Sequence, residues 1–401
     1  MNILFINNLP FNPTLGGIER VTDILAKALI KKGYNIHYLC GYIKDNKTLD
    51  YNFPTKMNTL PEENLFFSDI NRKYFTDYIH DNKIDIIINQ KGLDSYLNKS
   101  LEISNIKKIT VIHSKPKAYL QLYCKVTINK PQSFKDLFKI FIKIIAYPIL
   151  YIRNKQLGEK YLNKQYNEIV EKSDAIVLLS SRYIKEFLSC KIKNIKIPII
   201  GIANPNAYTN VTLNFEKKEK IILYVGRLNT FAKKPQRILK IWERIYKNNP
   251  EWQVVFVGDG TALPELKSYV RLHQIPRVNF AGHQSNVKQY YKIASFICLC
   301  SDFEGWGMSL TEGMSYGCIP FTFNNFAAAS EIIDDDQNGC LISPFNIKEY
   351  AKRIEALMND ENRRKEMSEN AFNKVKNFDI ENIVIQWEYL FNKITNNSQA
   401  K

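Results

Sequence analysis

Residues Ser301 to Pro320 read Ser-Asp-Phe-Glu-Gly-Trp-Gly-Met-Ser-Leu-Thr-Glu-Gly-Met-Ser-Tyr-Gly-Cys-Ile-Pro. A short apolar run, Ala294–Cys300, precedes the stretch, and a second strand-like run, Ile319–Phe323, closes it. Between them the pattern predicts a loop with two glycines, then a helix from about Met308 to Gly317. In such a strand–loop–helix–strand unit the first helical amides point to the carboxyl edge of the sheet. The N–H groups at Gly307, Met308, Ser309 and Leu310 thus face an anion, helped by the helix dipole. Gly305 and Gly307 let the backbone approach a phosphate with no Cβ in the way. Glu304 stands at the loop mouth, and Glu312, about one turn into the helix, is placed for the hydroxyls of a ribose. A carboxylate accepts two hydroxyl protons at once, which suits a diol. The plain alternative is a helix whose acidic first turn only complements its dipole.

Carboxylates separated by seven residues, with these glycines, flanking strands and a closing Gly-x-x-Pro, resemble the E-x7-E element of the retaining GT-B glycosyltransferases of family four. The resemblance runs through the whole chain, is strongest over 220–345 and is looser over 40–105 and 117–170. It implies two Rossmann-like, doubly wound parallel-sheet domains of α/β class facing a cleft, with the last helix crossing back to the first domain.

Length and alternation agree with that architecture. A chain of 401 residues, 45% hydrophobic, has room for two α/β domains of roughly 150–200 residues each. In the first half, apolar strand patterns at Ile3–Ile6, Asn35–Cys40, Ile84–Asn89, Lys108–His113, Asp174–Ser180 and Ile195–Ala203 alternate with helical ones. Those helical patterns lie at Ile18–Gly33, about 70–81, about 93–104 and Arg182–Ser189. The second half alternates again, with strands at Ile221–Leu228, Trp252–Gly258 and Val278–Gly282 and helices from about 346 to 375. Trp387, within Ile380–Ile394, needs a surface to bury against. The expected division is 1–205 for an acceptor-binding domain, 206–376 for a nucleotide-sugar-binding domain and 377–401 for the returning helix.

The remaining site residues follow from position and from the resemblance. Gly16-Gly-Ile-Glu-Arg-Val21 resembles the family's first loop, so Gly16 and Gly17 are expected near the donor diphosphate or the acceptor; alone, a Gly-Gly pair is only a flexible loop. His113 ends a strand where the family often carries a histidine near the transferring sugar, although a lone strand-end histidine is also a common structural residue. The strand at Ile221 delivers Gly226 and Arg227 to its carboxyl end. The resemblance matches Arg227 and a following lysine to the pair that holds the diphosphate; Lys233 is the choice and Lys234 the rival. Two fixed cations lower the barrier to losing a diphosphate, so no metal is expected, and no Asp-x-Asp motif is evident. His283 lies where the family reads the nucleobase, largely through backbone groups.

Seven scattered cysteines without a C-x-x-C pair suit buried, reduced thiols rather than a disulfide framework or a zinc site. The amino-terminal Met-Asn-Ile-Leu-Phe-Ile reads as a first strand and not a signal peptide, and no stretch offers about 18 uncharged apolar residues. A cytoplasmic protein, held peripherally at the inner face of the cytoplasmic membrane, is expected.

The net charge of +16 is uneven: residues 107–164 hold thirteen Lys/Arg against Asp136 and Glu159. Within this basic insertion, 117–165, Phe134, Leu137, Phe138, Phe141, Ile142 and Ile145 recur at helical spacing, while Lys135, Lys139 and Lys143 form a separate line before Pro148 interrupts. Such a helix either lies on an anionic membrane surface or packs on the core. Charge alone would also suit nucleic acid, but no nucleic-acid motif accompanies it.

The implied function is metal-independent, retaining transfer of a hexose or N-acetylhexosamine from a nucleotide sugar, UDP-linked by preference with GDP as rival. The acceptor is a glycolipid or lipid-linked oligosaccharide of lipopolysaccharide, O-antigen or capsule synthesis. A nucleotide-sugar epimerase on the same fold is the alternative. Charge reversal at Lys135, Lys139 and Lys143 is expected to release the protein from anionic liposomes in a sedimentation assay, and unchanged binding would remove the membrane reading.

Overall fold

A computed structural model describes residues 1–43, 51–63, 68–92, 106–118, 120 and 134–396, with 134–145 described by backbone alone. The first part runs β1 (Asn2–Asn7), α1 (Gly17–Lys31), β2 (Asn35–Cys40), β3 (Met57–Thr59), α2 (Asp69–Asp81), β4 (Ile86–Asn89), β5 (Lys107–Ile112), α3 (Phe134–Lys172), β6 (Ala175–Leu178), a 3₁₀ turn (Ser181–Tyr183), α4 (Ile184–Leu188) and β7 (Ile199–Gly201). The second runs β8 (Glu219–Val225), α5 (Gln236–Ile245), β9 (Gln253–Val257), α6 (Leu263–Leu272), β10 (Val278–Gly282), α7 (Lys288–Ile293), β11 (Ala294–Leu299), α8 (Met308–Met314), β12 (Ile319–Phe323), α9 (Ala329–Ile332) and β13 (Cys340–Ile342). Helices α10 (Ile347–Met358), α11 (Glu361–Val375) and α12 (Ile380–Asn396) follow.

Two parallel sheets result, ordered β3-β2-β1-β4-β5-β6-β7 and β10-β9-β8-β11-β12-β13. The pairings are parallel throughout both, so the strands are apolar on both faces, as in the fully buried Ile86–Asn89 and Ala294–Leu299. In each sheet the chain order reverses once, between β1 and β4 and between β8 and β11. Ligands of open parallel sheets sit beyond the carboxyl ends of the strands at such reversals. The loops after Asn7, Val225 and Leu299 lie at these points.

Helix α12 leaves the second domain and buries Ile383, Val384, Trp387, Leu390, Phe391 and Ile394. It packs on α1 of the first domain, with the Tyr34 ring edge-on to Phe391 at 5.8 Å and its hydroxyl donating to Glu388 at 3.3 Å. The apolar stripe seen in sequence is thus an interdomain seal. The six described cysteines are buried thiols, and Cys124 lies outside the described residues. Burial pushes Cys40, Cys298 and Cys340 up to about 12, which leaves them as weakly reactive core residues.

Two expectations shift. Helix α8 ends at Met314 and not at Gly317, because the chain turns there and Gly317 takes a left-handed φ of +77°. Pro148 does not interrupt its helix: α3 continues through it to Lys172. Proline removes one amide donor, but the later turns are held independently by the buried Leu162, Tyr166, Ile169 and Val170. The expected helix at 93–104 and the front of the insertion, 121–133, lie outside the described residues, as do the side-chain lines of 134–145. Among the described residues no helix is long and apolar enough to cross a membrane.

Truncating Trp387 to alanine removes a buried indole from the seal between α12 and α1. The loss is expected to be about 3–5 kcal/mol in urea unfolding, and a loss under about 1 kcal/mol would show that the helix does not fasten the domains.

Candidate active site

The end of β8 is shaped by backbone before side chains. Gly226 has φ of +154°, and a Cβ on the facing Gly258 would lie 2.0 Å from the Gly226 carbonyl oxygen. Only glycine fits there, and Gly260, whose Cβ would lie 2.3 Å from the Leu228 carbonyl oxygen, completes the turn Gly258-Asp-Gly260. Beyond it Arg227 is exposed, with no carboxylate partner among the described residues. The next turn is tied by Asn229, whose Oδ1 accepts from the amides of Ala232 at 2.9 Å and Lys233 at 3.2 Å. This bracing separates the two lysines. Lys233 Nζ reaches Glu304 Oε1 at 2.7 Å, whereas Lys234 Nζ faces Asp302 at 3.5 Å, beside Arg237, which holds that carboxylate at 2.7 Å.

After β11, Ser301 Oγ donates to Glu304 Oε1 at 2.5 Å, so Glu304 is gripped by a hydroxyl and an ammonium. Its backbone carbonyl accepts from Tyr183 Oη of the first domain at 3.0 Å. Trp306 anchors the loop, buried and edge-on to Phe378 at 5.0 Å. Gly307 caps α8 with a φ of +98°. The Met308 and Ser309 amides that follow donate to no acceptor among the described residues. Leu310 departs from expectation. Its amide turns back to the Gly307 carbonyl at 2.9 Å and its side chain is fully buried, so it serves the core and not an anion. Glu312 is 3% exposed, with Oε1 taking Arg20 Nη1 at 2.7 Å and Oε2 taking the Tyr291 hydroxyl at 2.8 Å.

The first domain supplies the opposite wall. Gly16 caps α1 in extended conformation, and Gly17 opens the helix. A Cβ on Gly16 would meet Glu19 Oε2 at 2.7 Å, and Glu19 in turn accepts from Asn7 at 3.2 Å. His113 follows β5 directly. Its Nε2 donates to Gln90 Oε1 at 2.6 Å, and burial lowers its pKa to about 4, so it is neutral at physiological pH. Its backbone closes the cleft: a Cβ on Gly305 would stand 2.0 Å from the His113 carbonyl oxygen. Farther along the seam, Ser180 Oγ bonds Glu331, and Arg182 bonds Ser330 at 2.7 Å.

The structure thus gathers Lys233, Glu304, the Gly305–Ser309 backbone, His113 and Glu312 along one interdomain seam. His283 is exposed at the end of β10 and has no side-chain partner among the described residues. Sequence reasoning missed Arg20, Tyr183 and Tyr291. Arg20 lay inside the glycine loop already singled out, but its partner is 292 residues away and no local pattern announces it. The described residues hold no cluster of three or more metal-ligating side chains.

Residues 210–374 match the family model described as glycosyl transferases group 1. Over 374 residues, covering 93% of this chain and 95% of the relative, the sequence is 26% identical to an uncharacterized glycosyltransferase of Haemophilus influenzae. It is 31% identical over 230 residues, 56% of this chain and 61% of the relative, to a Campylobacter jejuni enzyme. That enzyme is named GalNAc-alpha-(1->4)-GalNAc-alpha-(1->3)-diNAcBac-PP-undecaprenol alpha-1,4-N-acetyl-D-galactosaminyltransferase. Among solved structures, a point mutant of S. aureus TarM in complex with Fondaparinux, alpha-GlcNAc-glycerol and UDP superposes with a TM-score of 0.74. That likeness, at 15% identity over 98% of this chain and 99% of the other, is one of fold.

Gly305→Ala places a methyl group against the His113 carbonyl and holds the domains apart. Transfer activity is expected to fall at least about tenfold while circular dichroism shows the secondary structure retained, and full activity would show that this closed arrangement is dispensable.

Proposed function

We propose that this chain, a GT-B glycosyltransferase whose residues 210–374 belong to the glycosyl transferases group 1 family, moves a hexose or N-acetylhexosamine from a UDP-sugar to a lipid-linked or glycolipid acceptor of the cell envelope. The observation that carries the reading is the convergence at the β8/β11 reversal of Lys233, Glu304 and two unengaged amides, facing the first domain's His113 across a closed seam.

The chemistry follows from where charge develops. The acceptor hydroxyl oxygen bonds to the anomeric carbon as that carbon's bond to the diphosphate breaks. The hydroxyl proton passes to a phosphate oxygen of the departing group, and attack on the same face retains configuration. Negative charge grows on the diphosphate, so fixed donors aimed there stabilise the transition state more than the ground state. Arg227 and Lys233 supply the cations and the Met308 and Ser309 amides supply dipoles, with Gly226, Gly307 and the Gly16-Gly17 loop allowing close approach. Lys233 serves two partners, since Glu304 holds it in place until the phosphate arrives. Glu312 receives the ribose hydroxyls, and His283 marks the base end. Neutral His113 and Glu304 border the transferred sugar.

The acceptor class rests on two supports. One is the undecaprenol-linked substrate in the Campylobacter relative's name. The other is the outer part of α3, where Tyr147, Ile149, Tyr151, Ile152, Leu157 and Tyr161 are exposed among Arg153, Lys155 and Lys160. Apolar and basic side chains together suit the interface of an anionic bilayer, which agrees with peripheral attachment at the inner face of the cytoplasmic membrane.

The test is a panel of UDP- and GDP-sugars with and without a lipid-linked acceptor, in EDTA. Transfer that needs the acceptor and survives chelation is expected, whereas conversion of the donor alone would mark an epimerase. Lys233→Ala and Glu312→Ala should each lower transfer by at least about 100-fold with the fold intact by circular dichroism; full activity in both would overturn the reading.

A further inference from the structure

We propose that Arg20 is a positioning residue for the donor: reaching across from the first domain, it orients the Glu312 carboxylate for the nucleoside ribose, so that nucleoside binding and domain closure become one event. This rests on Glu312 being the ribose ligand, as read above.

The geometry is specific. Each oxygen of Glu312 takes one donor, Arg20 Nη1 at 2.7 Å on Oε1 and the Tyr291 hydroxyl at 2.8 Å on Oε2. Two donors on opposite oxygens fix the plane of the carboxylate. Each oxygen retains a second lone pair, and two such sites side by side match vicinal hydroxyls. Burying a carboxylate to 3% exposure is costly unless it is paired, and Arg20 is its only ion-pair partner among the described residues. The coupling is mutual: Arg20 is held more basic than an ordinary arginine, chiefly by the charge of Glu312.

The two partners belong to different domains. Arg20 stands in the first turn of α1, beyond the carboxyl end of β1, and Glu312 stands in α8, beyond the end of β11. The contact therefore exists only while the cleft is shut. The Arg20 side chain is still 38% exposed, so it approaches from the open side of the seam and can withdraw with its own domain. Surface ion pairs contribute little and carry no such constraint. Here one end of the pair is a buried group with a binding task, and linkage makes the effect reciprocal: a ligand that needs the oriented carboxylate favours closure, and closure favours that ligand. Tyr208, in the segment between the sheets, completes the cluster with its ring at 6.1 Å from Tyr291 and under the Lys288 ammonium at 5.3 Å.

Calorimetry with UDP, GDP and inorganic pyrophosphate on the full chain tests this, using Arg20→Ala and Arg20→Lys. Arg20→Ala is expected to weaken the better nucleoside diphosphate at least about tenfold and leave pyrophosphate within about twofold. Arg20→Lys should recover part of the loss. In turnover, the donor KM should rise by more than kcat falls, and small-angle scattering should give the nucleotide-bound alanine variant a larger radius of gyration than the nucleotide-bound parent. Equal weakening of pyrophosphate, or unchanged nucleoside diphosphate affinity, overturns the proposal alone. Failure of the parent protein to bind either nucleoside diphosphate overturns the functional reading beneath it as well.

Discussion

The structure depends on one close approach. The backbone at Gly305 and the carbonyl of His113 leave no room for a Cβ between them, and around that point the carboxyl edges of two parallel sheets are pressed together. The Gly305 loop follows β11 at the second sheet's reversal, whereas His113 follows β5, one strand beyond the first sheet's reversal. The Tyr183 hydroxyl on the Glu304 carbonyl, the Ser180–Glu331 contact and the Trp306–Phe378 packing keep the same seam in register. Helix α12 closes the circuit by burying its apolar stripe on the first domain.

Within that seam charge is held in pairs. Lys233 with Glu304 and Arg20 with Glu312 place one cation and one carboxylate at two successive points along α8 and the loop before it. In the proposed reaction the cations and amides are assigned to an anionic substrate and a carboxylate to a diol. Pairing keeps the two largely buried carboxylates oriented, where a lone charge would be costly. It also explains the division between the neighbouring lysines. Asn229 ties the turn so that Lys233 faces the cleft, while Lys234 is drawn to Asp302 beside Arg237.

Much of this was legible in the chain. Apart from the short edge strand β3, which has no apolar run and was not foreseen, strand positions were read to within a few residues because parallel, doubly covered strands are continuous apolar runs. The Glu304–Glu312 loop announced itself through its glycines. Boundaries slipped where local and tertiary forces disagree. Pro148 breaks a short helix by its own chemistry but not one anchored many residues later by Leu162, Tyr166 and Ile169. Leu310 was grouped with anion-facing amides by position, but the turn around Gly307 claims its N–H.

The sequence by itself determined the alternation that makes two parallel sheets, the glycines where backbones must touch, and the carboxylates and cations gathered at the strand ends. These are local matters of periodicity, φ and side-chain chemistry. Only the tertiary structure decided which charge meets which: that Lys233 and not Lys234 reaches Glu304, and that Arg20 crosses from the other domain to Glu312. Those pairings depend on how two sheets face one another, and the spacing along the chain between Arg20 and Glu312 carries no record of it.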